Sequence, residues 1–207
     1  MKIFDIGANA GLYTEANLSL NPSCEFVLVE ANPELCTKLV NKFKDKPNIT
    51  VLNSCASDTS GKLIDFYVSE ADTISSASKD WVSSSRFSNM SFNKTITVES
   101  VSIESLVSVY GQPDHIKIDV EGYEKTVIKG MSKNLGNLSF EWAEESKPDI
   151  LESVSHLFSI GYTGFCVTEK DCYTFTPSNY NGYDDTMLLL SELDPSRKTR
   201  WGMVFAR

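Results

Sequence analysis

Short apolar runs alternate along the chain with segments whose apolar residues recur every three to four positions, the pattern of a largely parallel sheet covered by helices. KIFDI at Lys2–Ile6 predicts a first strand and EFVLVE at Glu25–Glu30 a second, with a short helix over Gly11–Leu20 between them. Pro33 suits a first helical position, and Leu35, Leu39, Val40 and Phe43 then share one face of a helix running to about Phe43. Ile49–Leu52 predicts a third strand. KLIDFYV at Lys62–Val68 and TITVESV at Thr95–Val101 alternate with period two and are expected to pair as an antiparallel excursion. The serine-rich stretch between them, Ala71–Asn93, lacks a period and is expected to be a mobile loop or lid. HIKIDV at His115–Val120 predicts a fourth core strand, Tyr123–Met131 a helix and Leu138–Trp142 a fifth strand. A helix from Pro148 to about Ile160 ends at Gly161, and Gly164–Thr168 and Met187–Ser191 are read as two closing strands. No repeat or linker divides residues 1–207, so one domain is expected.

Composition narrows the function. A chain of 207 residues buries enough surface to fold without disulfides or a structural metal. Its 28 acidic against 19 basic side chains argue against nucleic acid as a partner, and the one basic cluster, Arg197, Lys198, Arg200 and Arg207, is too sparse to reverse that. No apolar run reaches the roughly 20 residues of a membrane span, and no signal segment opens the chain, so a cytoplasmic protein is expected. Cys24, Cys36, Cys55, Cys166 and Cys172 show no Cys-x-x-Cys spacing, and two histidines cannot complete a zinc site, so free thiols are expected. The Asn-x-Ser/Thr triplets at Asn17, Asn48, Asn89, Asn93 and Asn137 are read as chance.

The first strand runs into DIGANAGLY, Asp5–Tyr13. A glycine-rich turn between strand and helix lets backbone approach a ligand and aims N–H groups at it. A dinucleotide fingerprint needs glycine at 7, 9 and 12, where Asn9 and Leu12 hold the last two positions, which disfavours a pyrophosphate and with it an NAD-dependent oxidoreductase. Asp5, an acid just before the turn, suits a ligand with an ammonium group, held directly or through water. Glu30 ends the second strand, where doubly wound folds place a carboxylate against both ribose hydroxyls. A nucleoside with an ammonium group and no pyrophosphate points to S-adenosylmethionine. The plainer alternative is a tight turn at Gly7 and Gly11 and a solvated strand end at Glu30.

DIGANAGLYT, VEANPE, the ASD of Ala56–Asp58 followed by Gly61, and IKIDVEGYE of Ile116–Glu124 resemble, in order and spacing from residue 3 to about 142, successive motifs of the FkbM family of S-adenosylmethionine-dependent methyltransferases. The resemblance implies a class I methyltransferase Rossmann-like fold, an α/β seven-stranded sheet parallel except for one strand, with helices on both faces. It implies that Asp5, Gly7, Asn9 and Gly11 line the methionine end of the cofactor, that Glu30 binds the ribose, that Ala31, Ser57 and Asp58 face the adenine, and that Leu12, Tyr13 and Asp119 also contact the cofactor. It also implies a hydroxyl acceptor on a sugar or glycan, such as the deoxyhexose rhamnose. Relatives carry sequence before the first strand whereas Met1 alone precedes Lys2 here, so one expectation is a domain of a longer polypeptide, fused to or associated with a glycosyltransferase.

An alcohol is a weak nucleophile at neutral pH. Its methylation calls for a general base, worth roughly 10² to 10⁴ in rate, or a metal that acidifies the hydroxyl. Ligands bind beyond the carboxyl ends of such strands, where Asp119 and Glu121 are read as following the fourth strand and Glu141 the fifth. Asp119 and Glu141 suit one divalent cation, magnesium or manganese, with positions open to substrate, an arrangement similar to metal-assisted O-methyltransferases. Alternatively Asp119 or Glu121 is a base without metal. Plainer roles stand beside these. For Glu121 the plainer role is to serve only the N–H groups at the next helix start. Glu141 could pair with Lys117 or lie on the surface, and Lys117 could orient an acid, bind substrate, or reach out from a sheet face. His115 and His156 are read as structural. Asn179–Asp185 is expected as a hairpin at the site's rim or merely a turn at Asn181-Gly182, and Ser75, Ser76, Ser78 and Trp81 as substrate contacts or a solvated loop. Cys166 and Cys172 are expected to flank a hairpin without chemistry. Rival functions are methylation of another small molecule, lipid or protein group, and a non-catalytic cofactor-binding module.

Overall fold

The computed structural model describes residues 1–71, 74–170, 173–174 and 176–207. Its main sheet has seven strands: β1 (Lys2–Ile6), β2 (Glu25–Glu30), β3 (Ile49–Asn53), β7 (His115–Ile118), β8 (Asn137–Ala143), β9 (Phe165–Glu169) and β10 (Trp201–Ala206). They lie in the order β3-β2-β1-β7-β8-β10-β9. All are parallel except β10, which runs antiparallel to both β8 and β9, as the family resemblance implied. A second sheet, β4 (Cys55–Ala56), β6 (Lys94–Val101) and β5 (Leu63–Val68), forms the excursion, with β5 antiparallel to β6 as the alternation predicted.

Side chains alternate across the sheet, so each face has its own core. Phe4, Ile6, Ile116 and Ile118 pack under α4 (Ile103–Tyr110), α5 (Glu124–Lys129), α6 (Lys147–Ser159) and α7 (Tyr183–Ser191). Ile3, Phe26 and Leu28 pack under Leu18 of α1 (Leu12–Leu20) and Leu39 of α2 (Pro33–Lys42). Pro33 does open α2, and the Asn32 side chain caps it by accepting from Glu34 N. Asp5 and Lys117 are register neighbours on β1 and β7, and by alternation both point to the α1 side.

Several expectations need correction. Met187–Ser191 is not a strand but the second half of α7, which opens with Gly182 as N-cap and Asp184 and Asp185 in its first turn. Such a short apolar run fits helix or strand equally, and the acids complementing the helix dipole decide it. The second closing strand is instead β10, in the stretch read as a basic tail. Asn179–Asp185 is no rim hairpin. Asn181 bridges Phe165, the first residue of β9, which places it at the end of the sheet opposite the site. The loop expected over Ala71–Asn93 contains α3 (Lys79–Ser84), capped by the Ser78 side chain, with Trp81 buried; Asp72 and Thr73 lie outside the described residues, as does Cys172. Helix α4, capped by Ser102, was not anticipated. Among the described residues no helix is long and apolar enough to cross a membrane.

Candidate functional site

The predicted residues gather at the carboxyl ends of β1, β2, β7 and β8. Gly7, Asn9 and Gly11 all adopt left-handed backbone, and this coils the turn after β1 tightly over the sheet edge. Gly7 permits the closest approach, since a Cβ there would lie 1.8 Å from the Asp119 carbonyl oxygen. Glu30 locks the turn in place. Its Oε2 accepts from Asn9 N at 2.8 Å and its Oε1 from Asn32 N at 2.8 Å. Burial nevertheless raises its pKa.

Glu30 also lines a cleft at these strand ends. Gly7 and Asn9 border it on one side. Ala31, Leu35, Cys55, Ala56 and Phe66 form apolar walls, and burial pushes the Cys55 thiol up to about 12, so that wall stays uncharged. A carboxylate beside an apolar slot fits a ribose joined to a flat base. Ser57 and Asp58 do not line this cleft. Ser57 is buried, and the Asp58 carboxylate accepts from Thr59 and faces Lys62 at 3.7 Å, contacts that lower its pKa. Phe66 of β5, with Ser75 and Ala77 from the segment between β5 and α3, lines it on that side. Gly11 caps α1 and faces Phe43 and Leu39 rather than the cleft.

Beneath the turn lies a buried polar relay. Lys117 is 4% exposed; its Nζ sits 3.4 Å from Asp5 Oδ1 and 3.2 Å from Asp119 Oδ2, and donates to the Gly7 carbonyl at 3.1 Å. Asp5 is wholly buried, accepts from Thr14 Oγ1 at 2.7 Å, and has its pKa raised by burial against the pull of Lys117. Asp5 thus presents no surface to the cleft, and Lys117 pairs with Asp5 and Asp119 rather than reaching to solvent.

Asp119 leads into a second turn, where Glu121 and Gly122 are both left-handed. Glu124 accepts from Val120 N at 2.8 Å and Gly122 N at 3.3 Å. The N–H service that the plainer reading gave to Glu121 thus falls to Glu124, and Glu121 lines the cleft instead. Trp81 covers Gly122 so closely that a Cβ there would lie 2.1 Å from the indole Cδ1, and the Ser76 hydroxyl donates to the Glu121 carbonyl at 2.6 Å. Ser76 and Trp81 therefore hold the turn rather than forming a solvated loop.

Glu141 stands beside Asp119, one residue beyond the last pair of β7 and β8. It is half-buried, and the ion pairs of Lys117 go to Asp5 and Asp119 instead. Carboxylate oxygens of Asp119, Glu124 and Glu141 all lie within 4.8 Å of one another. Burial first, then the neighbouring carboxylates, raise Glu121 and Glu141 well above the usual range, and burial raises Glu124 to about 7. Three carboxyls this close, with Glu121 near them, favour an added positive charge, as protons or as a cation. The histidines are structural. Burial lowers His115 to about 4 with Nε2 2.9 Å from Ser139 Oγ, and His156 Nε2 lies 2.8 Å from the Met131 carbonyl oxygen.

A chamber next to these acids is bounded by Leu12, Tyr13, Lys117, Asp119, Tyr173 and Trp201. The Tyr13 and Tyr173 rings meet edge to face at 6.3 Å. Glu124, Phe66, Tyr173 and Trp201 were not anticipated as site residues. Glu124 falls at i+3 from Glu121 within IKIDVEGYE, a signal available in the sequence; the other three reach the site from distant segments.

The family model described as methyltransferase FkbM domain matches residues 5–162. Comparison with curated protein sequences finds no match. Among solved structures, fibrillarin of Aeropyrum pernix, with natively bound S-adenosyl-L-methionine, superposes with a TM-score of 0.52 at 13% identity, covering 100% of this chain and 66% of that one. The precorrin-6y C5,15-methyltransferase of Geobacter metallireducens gives 0.46 at 12% identity over 100% and 78% of the two chains. A predicted O-methyltransferase of Agrobacterium tumefaciens gives 0.48 at 14% over 99% and 72%.

Proposed function

The chain belongs to the FkbM family of S-adenosylmethionine-dependent methyltransferases, and from that premise we propose that it methylates a hydroxyl group of a sugar or glycan. The observation that carries this reading is the acidic lining of the chamber, Asp119, Glu121 and Glu141 with Glu124 clustered behind them, beside the turn that would hold the methionine end of the cofactor. When bound, S-adenosylmethionine supplies a methyl carbon on a sulfonium, so that an O–CH3 bond forms as the C–S bond breaks and its electron pair stays on sulfur. The chain must then hold the nucleoside, aim the hydroxyl and take its proton. Glu30 and the apolar slot serve the first task, and Asp119, fixed by Lys117, serves the second. Glu121 or Asp119 accepts the proton, and burial and the neighbouring acids, which raise the pKa of Glu121, make it a stronger base than an ordinary carboxylate.

A second reading is favoured by the 4.8 Å clustering. Asp119 and Glu141, joined by Glu124, would hold a magnesium or manganese ion, which would lower the pKa of a coordinated hydroxyl. The chain's own acids then orient the acceptor instead of deprotonating it. The described free cysteines, three of them buried, fit a reducing compartment such as the cytoplasm, and a fused or associated glycosyltransferase would supply the glycan. Calorimetry with S-adenosylhomocysteine and NAD, followed by turnover of methyl glycosides with and without chelator, tests both readings. Binding of NAD alone removes the methyltransferase reading, and turnover indifferent to chelator removes the metal. Intact turnover in Asp119→Ala removes the catalytic role of that residue.

A further inference from the structure

The chamber at the methyl end opens onto a groove that the chemistry above leaves unused. Trp81, Phe87 and Trp201 line it, together with Arg86, Glu121 and Glu141. Glu121, Glu141 and Trp201 border both spaces, so the groove adjoins the chamber where, on the reading above, the methyl group would be presented. We propose that this groove is the acceptor site, that it seats one pyranose ring of a neutral saccharide against the Trp201 and Phe87 rings, and that it rejects acceptors bearing a phosphate or carboxylate beside the reacting hydroxyl. The inference rests on the hydroxyl-methylation reading.

Rigidity is the first argument. Trp81 is buried and wedged on Gly122, and its ring lies 5.5 Å from that of Phe87 at 47°. Trp201 opens β10 and is fixed by its register with Ala143 of β8. Aromatic faces carry negative potential and attract the polarised C–H bonds on the face of a pyranose, while the carboxylates beside them take its hydroxyl donors. These are aromatic walls with a few polar groups, the composition of a small-ligand site.

Charge is the second argument. The cations nearby are already committed. Arg86 donates to both oxygens of Glu145, from Nε at 2.8 Å and from Nη2 at 3.1 Å, and Lys117 lies between Asp5 and Asp119. An anionic acceptor would therefore meet the crowded acids Glu121 and Glu141 while Arg86 and Lys117, the described cations beside them, are already paired to acids, and a further negative charge there is disfavoured. A neutral polyol meets only hydrogen-bond acceptors.

The test uses methyl α-L-rhamnopyranoside, methyl α-D-glucopyranoside and rhamnose 1-phosphate as acceptors, with S-adenosylhomocysteine affinity as the control for folding and cofactor binding. At least one neutral glycoside is expected to be methylated and the phosphate not. Trp201→Leu and Phe87→Leu are each expected to raise acceptor KM on the order of five- to tenfold, with a much smaller change in kcat and unchanged S-adenosylhomocysteine affinity. Glycoside turnover with unchanged KM in both variants, or equal turnover of the phosphate, overturns the groove assignment while leaving hydroxyl methylation standing. Wild-type protein that binds S-adenosylhomocysteine but methylates no glycoside overturns both.

Discussion

Replacing Lys117 with methionine removes the ammonium that joins Asp5 to Asp119 while keeping an unbranched side chain of similar length. Asp5 is wholly buried, and its remaining partner is the Thr14 hydroxyl at 2.7 Å. Breaking a buried ion pair from one side costs about 3 to 5 kcal/mol, because the surviving charge stays desolvated. The variant can escape part of that cost by protonating Asp5. Burial already places the folded pKa of Asp5 above its unfolded value, and losing Lys117 raises it further. The folded state then holds a proton that the unfolded state releases, so stability falls as pH rises from the unfolded pKa, about 3.9, through the folded one. Urea denaturation of wild type and Lys117→Met between about pH 5 and pH 8 reads this directly: a deficit near 3 to 5 kcal/mol is expected at the alkaline end, shrinking toward the acid end. Adding Asp5→Asn should recover much of the loss, since neither variant side chain is then charged. A deficit under about 1 kcal/mol at pH 8, or one independent of pH, would falsify the buried relay.

Glu124, with a folded pKa of about 7 against an ordinary 4.5, destabilises the fold as it ionises, so stability falls from pH 4.5 toward 7; Glu124→Gln should flatten that slope in denaturation curves and still receive the Val120 and Gly122 N–H groups. Gly122→Ala forces a Cβ into Trp81 at a left-handed position and should lower stability by about 2 kcal/mol or more, visible as a drop in Tm; an unchanged Tm would mean that Trp81 does not hold the turn. Glu30→Ala removes the carboxylate that ties Asn9 to Asn32 and faces the proposed ribose, and should weaken S-adenosylhomocysteine binding about ten- to a hundredfold by calorimetry.

What the sequence revealed follows from where its signals are local. Strands β1, β2 and β7 are contiguous apolar runs with an acid at or just past the carboxyl end, so Asp5, Glu30 and Asp119 could be placed before any coordinates. The exchange of α7 for a strand arose at Leu188, Leu189 and Leu190, where an apolar triplet has no period of its own. WGMVFA was overlooked because a charged run precedes it and Gly202 interrupts it. Glu121 and Glu124 exchanged roles because the left-handed backbone at Glu121 and Gly122 turns the Glu121 side chain away from the helix start. Trp201 and Phe66 enter the site through sheet pairing across many residues, which no local pattern encodes.

The most direct measurement supplies S-adenosylmethionine carrying a trideuterated methyl group, with methyl α-L-rhamnopyranoside and methyl α-D-glucopyranoside, and follows products by mass spectrometry and NMR. Trideuteromethyl on a glycoside oxygen, equal in amount to the S-adenosylhomocysteine formed and lost in Asp119→Ala, is the result expected. Protein that binds S-adenosylhomocysteine yet leaves every glycoside unlabelled, or places the label on an amine supplied in the same mixture, would contradict hydroxyl methylation of a sugar.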